Sequence, residues 1–215
     1  MHLGDVRTEQ PIQVVWFKRD LRIHDHEPLS EASKRGPVLA LYVYEPDLLD
    51  SPEWHASHSL FIDQCLAELE ENIRRLGGRM VYAVGDITDV LDDLHKTTGF
   101  KQLWSHEETG NRITYMRDIQ VQRWCATHGI QWNECYQTGV IRRLATRDGW
   151  AKRWSERMNR PIVHAPEWIQ PTSLDLPDRL SGPRRSLSAL GLPPSAKTEV
   201  QHGGETAAKD TLASF

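Results

Sequence analysis

Cysteine is scarce. The 215-residue chain has three, Cys65, Cys125 and Cys135, and no two stand at C-x-x-C spacing. Neither a disulfide framework nor a structural zinc site is indicated. No apolar run approaches the roughly 18 residues that span a bilayer. The opening MHLGDVRTEQPIQ lacks the apolar centre and small-residue cleavage site of a secretory signal. Excess positive charge is missing too: 26 Lys and Arg against 30 Asp and Glu leave a net charge of −4 with His neutral. That excludes a globally basic nucleic-acid binder and confines any DNA contact to a local patch. Three common catalytic or phosphate loops are absent: GxGxxG after the first strand, GxxxxGK[ST] and GxSxG. These absences point to a reduced, cytoplasmic protein with no membrane segment. Its 39% hydrophobic and 26% charged residues suit a folded domain.

What is present is alternation. Short apolar runs stand at Ile12–Phe17, Val38–Tyr44, Met80–Val84, Gln102–Ser105 and Ile130–Cys135. The first three are nearly continuous and rich in β-branched or aromatic residues, as strands covered on both faces are. Helical periods lie between them. One starts near Leu60 and carries Phe61, Cys65, Leu66, Leu69, Ile73 and Leu76 on one stripe before Gly77-Gly78. One follows Asp86, a natural cap, and stops at Gly99. One runs from about Thr109 to His128 before Gly129. Strand–helix alternation with short connections predicts an α/β fold: a five-stranded, doubly wound parallel sheet of order 3-2-1-4-5 with helices on both faces. A ligand is expected at the strands' carboxyl ends, at the switch point between the first and fourth strands.

Two strand ends carry polar clusters. Lys18-Arg19-Asp20-Leu21-Arg22-Ile23-His24-Asp25-His26 follows the first strand. It reads either as a polar ligand site or as an Arg–Asp network that stitches loops together. Asp25 is placed to cap a helix. Metal binding by His24-Asp25-His26 is disfavoured, because adjacent side chains diverge. Ser105-His106-Glu107-Glu108 ends the fourth strand and suits either ligand hydrogen bonding or an acid-decorated helix start. His55 and His58 share a helix face and read as ordinary partners.

After Gln137 the pattern changes. Arg142, Arg143, Arg147, Lys152, Arg153, Arg157 and Arg160 face only Asp148 and Glu156, with Trp150 and Trp154 at i, i+4. That stretch fits DNA, a neighbouring domain, or a solvated helical face with its aromatics turned inward. Seven prolines between Pro161 and Pro194 suggest an extended connector. Residues 203–215 read as the opening of another helix, with Leu212 and Phe215 exposed. The expected organisation is an α/β domain over 1–136, a basic segment and connector over 137–200, and from 201 the start of a second domain that is cut short.

The first-strand motif, Trp16-Phe17-Lys18-Arg19-Asp20-Leu21-Arg22 with Asp25-His26, resembles the opening signature of the photolyase/cryptochrome family. Tyr42-Val43-Tyr44-Glu45-Pro46, Tyr115-Met116-Arg117-Asp118 and Gly203-Gly204-Glu205 support the resemblance. It implies the N-terminal α/β domain of a blue-light flavoprotein, with FAD in a helical C-terminal domain. It also implies a folate or deazaflavin antenna chromophore in this domain. Antenna contacts carried over by position are Phe17, Lys18, Arg19, Asp20, Tyr44, Glu45, His58, Ser105, His106, Glu107 and Glu108. Phe17, Tyr44 and Trp104 would wall the pocket, and His106 and Glu107 would orient the ring. No catalytic residue and no metal ligand is assigned. The implied function is light-driven repair of pyrimidine dimers in DNA by a monomer. The alternatives are a cryptochrome photoreceptor without repair and a stand-alone chromophore- or nucleotide-binding domain.

Overall fold

The computed structural model describes residues 10–142, 144–172, 174–186, 188–197 and 199–215. Arg143 of the basic stretch and the N-terminal residues 1–9 lie outside them. Five parallel strands form one sheet: β1 (Gln13–Phe17), β2 (Val38–Tyr44), β3 (Met80–Val84), β4 (Gln102–His106) and β5 (Gln131–Cys135). Their order is β3-β2-β1-β4-β5, as the alternation predicts. The helices are α1 (Glu27–Ser33), α2 (Pro46–Leu49), α3 (Ala56–Arg75), α4 (Ile87–Thr98), α5 (Arg112–His128), α6 (Trp150–Met158), α7 (Asp178–Ser181) and α8 (Glu205–Ala213).

Side-chain alternation along the strands splits the core in two. Val14, Trp16, Leu39, Leu41 and Val81 join Ile87, Leu91 and Leu94 of α4 and Val121 of α5. Val15, Phe17, Ala40, Tyr42 and Tyr82 join Leu29 of α1 and Leu66, Leu69 and Ile73 of α3 on the other face. Both faces being covered is why β1 and β2 read as continuous apolar runs. Each fully buried Leu or Ile contributes about 1.5–3 kcal/mol. The proline-rich connector adds to this core. Ile169 and Leu180 are buried in it, and the Ile169 N–H donates to the Leu76 carbonyl at 2.7 Å.

The helix ends follow local chemistry. The Asp86 side chain accepts from the Thr88 N–H, and Gly99 ends α4 in the left-handed region. Asn111 caps α5, which starts at Arg112 rather than near Thr109. His55 and His58 are more than ordinary neighbours, since together they form a reciprocal capping box at the start of α3. The cap of α1 is His26, whose Nδ1 accepts the Leu29 N–H, and not Asp25. Asp25 sits instead at φ 51° and its carboxylate accepts the Val163 N–H from the connector.

Candidate chromophore-binding site

At the β1 tip, Asp20 organises the turn. Its Oδ1 accepts the Lys18 N–H at 2.8 Å. Its Oδ2 accepts from His26 Nε2 at 2.9 Å and from His106 Nδ1 at 2.6 Å. All three side chains are essentially buried. Burial alone would raise the Asp20 pKa; the two imidazoles outweigh that and hold it well below the ordinary carboxylate range. Burial pushes the His26 pKa down. Neutral His26 suits its two bonds, one accepted at Nδ1 and one donated from Nε2. The potential ligand atoms of Asp20, His26 and His106 lie within 4.8 Å of one another, a donor set a metal ion could use. Each atom is already committed to a hydrogen bond, and a cation would have to displace both imidazole protons.

The rest of the switch point is filled by ion pairs. Arg117, buried on α5, reaches Glu45 at 2.8 Å, Asp118 at 3.0 Å and Glu108 at 3.4 Å. Lys18 Nζ lies 3.4 Å from Asp118 and 4.7 Å above the Trp16 ring, and burial lowers its pKa. Glu107 meets Arg142 and Arg157, each at 3.3 Å. Phe17 is fully buried in the core, and Trp104 donates its indole N–H to Gln13. These paired side chains occupy much of the cradle expected between the β1 and β4 tips and leave only a small space, bordered by Arg22 and His106. The physical reason is burial: charges this far from water need partners, and they found one another.

The open space lies on the other side of β1. A cavity of about 550 Å³ is bounded by the β1–α1 turn, the end of β2, the 48–54 segment, α3 and α8. Leu21, Tyr42, Trp54, Phe61 and Ile62 give it apolar walls; Arg19, Glu53, His58 and Asn111 supply polar groups. Of the residues assigned from the sequence, Lys18, Arg19 and His58 line it. Phe17, Asp20, Tyr44, Glu45, Ser105, His106, Glu107 and Glu108 do not. Tyr44 borders a separate, much smaller space.

Local structure sets these walls. The Trp54 indole N–H donates to Ser59 Oγ at 2.7 Å, which fixes the ring beside His58. Asn111 Nδ2 donates to Glu53 at 2.9 Å and ties the 48–54 segment to α5. Gly203 and Gly204 bring α8 against α3: the Gly204 N–H points at Cys65 Sγ at 3.1 Å, and a Cβ on Gly203 would stand 2.2 Å from the Phe61 carbonyl oxygen. Glu205 then accepts the Ile23 N–H at 2.9 Å. Sequence reasoning missed Trp54, Glu53 and Asn111. The available signal was Trp54-His55 at the start of the long helix that follows β2 and the short α2.

The volume falls within the 300–1,000 Å³ typical of small-molecule sites, and the apolar lining with few polar groups is also typical. Ser51 Oγ, on the cavity wall, is buried with no hydrogen-bond partner among the described residues. Such a hydroxyl suits a ligand polar atom. The site thus has the volume, apolar walls and few polar groups of a small-molecule site.

Comparison with known proteins shows the family and the fold. The sequence model of the DNA photolyase family, described as DNA photolyase, matches residues 13–156. A deoxyribodipyrimidine photo-lyase from Agrobacterium fabrum is 38% identical over 90 residues, covering 40% of this chain and 18% of that protein. The solved cryptochrome from Synechocystis superposes with a TM-score of 0.77 at 22% identity, covering 96% of this chain and 46% of that one. An archaeal photolyase from Sulfolobus tokodaii, solved with two FAD molecules, gives a TM-score of 0.57 at 18% identity, covering 79% and 39%. The chain thus spans less than half the length of these relatives. Because the family match covers more than half of the sequence and the sheet order is that of the family's N-terminal domain, the chain belongs to the photolyase/cryptochrome family.

Proposed function

We propose that the 550 Å³ cavity holds the antenna chromophore of a light-driven flavoprotein, a folate or a deazaflavin. The observation that carries this reading is the cavity itself, with Trp54 and Tyr42 as aromatic walls and the unpartnered Ser51 hydroxyl in its lining. When bound, the antenna supplies absorption of near-ultraviolet or blue light and transfer of excitation to FAD. The chain's own task is to hold the ring still and dry. Trp54 is fixed by Ser59, and α8 is pinned by Glu205. Glu53, His58 and Asn111 stand where ring heteroatoms need partners. Arg19, more than half exposed, faces solvent at the rim and suits an anionic tail.

For the whole protein, FAD in a C-terminal domain would donate an electron to a pyrimidine dimer in DNA, as in photolyases. Illumination of the whole protein, with reduced flavin, in the presence of dimer-containing DNA separates repair from signalling. Loss of dimers supports repair, and intact dimers leave the cryptochrome reading.

The cavity is tested directly. The purified chain is titrated with a methenyl folate, a deazaflavin and FAD, and difference absorption is recorded. One of them binds saturably. Ala208→Trp, which fills the cavity from the exposed helix α8, weakens that binding by at least about tenfold, or about 1.4 kcal/mol. Equal binding by the Ala208→Trp variant would count against the site.

A further inference from the structure

Arg22 borders a second, smaller cavity of about 170 Å³, between the end of β4, the last turn of α6 and residues 160–163. The chromophore reading does not use it. His106 forms part of its wall although only 2% of the residue is exposed. The Asp20 carboxylate fixes the His106 tautomer by accepting the Nδ1 proton at 2.6 Å. In that tautomer Nε2 is the acceptor, and it has no partner among the described residues. A buried acceptor on a cavity wall calls for a donor inside the cavity.

Three arginines, Arg22, Arg157 and Arg160, outnumber the two carboxylates of the lining, and Arg157 also meets Glu107 at 3.3 Å. Arg22 donates to the His24 and Asp25 carbonyls at 3.0 and 2.7 Å and has no carboxylate partner among the described residues. Arg157 and Arg160 lie near the Tyr136 ring, at 3.8 and 6.0 Å from its centre. The two wall carboxylates are committed: Glu27 to Arg160 at 2.7 Å and Asp25 to the Val163 N–H at 3.0 Å. The cavity therefore offers one proton acceptor beside guanidinium donors. Guanidinium forks recognise phosphate oxygens. A phosphate with one ionisable O–H left matches both halves at once.

We propose that this cavity binds a phosphate group that retains a hydroxyl, as inorganic phosphate or as the monoanion of a nucleotide monoester. The hydroxyl donates to His106 Nε2, and the other oxygens accept from Arg22 and Arg157. The proposal does not rest on the chromophore reading, although Arg22 also lines the larger cavity.

The purified chain is titrated calorimetrically with inorganic phosphate, adenosine monophosphate and dimethyl phosphate, at fixed ionic strength in chloride. The imidazole nitrogens of His106 are followed by NMR. Inorganic phosphate or the monoester is expected to bind saturably and to move the His106 resonances. The tighter of the two identifies the source. Dimethyl phosphate, which has no hydroxyl, is expected to bind at least about tenfold more weakly. Arg22→Gln is expected to lose about tenfold, because it removes a charge-assisted hydrogen bond to the phosphate. No saturable binding, as for a cavity holding only water, overturns the proposal. So does binding that leaves the His106 resonances of the unaltered protein unmoved, a reading that needs no variant.

Discussion

Asp20 carries more of the structure than any residue near it. It joins the β1 tip to the α1 cap through His26 and to the end of β4 through His106. Asp20→Asn keeps the shape but leaves one acceptor oxygen where two imidazoles and a backbone N–H converge. We expect a loss of about 2–4 kcal/mol, read by urea denaturation. The same cluster makes the fold acid-labile. The folded pKa of His26 lies below the ordinary 6.5, so protonation favours the unfolded chain, and stability falls as pH drops below about 6.5. Asp20, held well below the ordinary 3.8, contributes stability above that value and loses it on further acidification. Unfolding free energy measured between pH 7 and pH 5 should decline. A flat profile would show that His26 is not held neutral in the fold.

Two helices are attached in ways their sequences conceal. None of the α6 side chains is buried. It is held through Arg157, which bonds Glu107 and the Val140 carbonyl, and through the close approach of Trp154 to Gly139. Glu107 thus anchors α6, and a chromophore in the larger cavity would not touch it. Glu107→Ala should leave chromophore binding unchanged and raise the protease sensitivity of residues 140–160; weakened binding would restore Glu107 to the site. Helix α8 is attached through glycine. Gly203→Ala places a methyl group against the Phe61 carbonyl, which should cost about 1–3 kcal/mol of local stability. It should also reduce chromophore affinity, because Glu205 and Ala208 line the cavity. Hydrogen exchange at α8, compared with exchange at β1, checks this. An α8 as protected as in the unaltered chain would mean that the backbone absorbs the methyl group.

At the scale of the molecule, periodicity foretold the strands and their order, because burial on both faces leaves continuous apolar runs in β1, β2 and β3. The basic stretch was harder to read. Its arginines look like an interaction surface, yet Arg142 and Arg157 neutralise carboxylates of the same chain. Helix α5 was located by its glycine stop, while its inward face hides a buried Arg117–Asp118 pair that no apolar pattern reveals. The site was legible only in part. Lys18 and Arg19 were assigned from their place beyond the β1 tip and His58 from the family resemblance, and all three line the larger cavity, but which side of β1 stays open depends on how eight charged groups pair, and spacing does not encode that. The central claim is the location of the chromophore, and a crystal structure of the chain with its bound folate or deazaflavin tests it most directly. The ring is predicted beside Trp54 and Tyr42, with a polar edge toward Ser51. A ring seated at the β4 tip against Glu107, with the cavity beside α3 filled by water alone, would contradict the account.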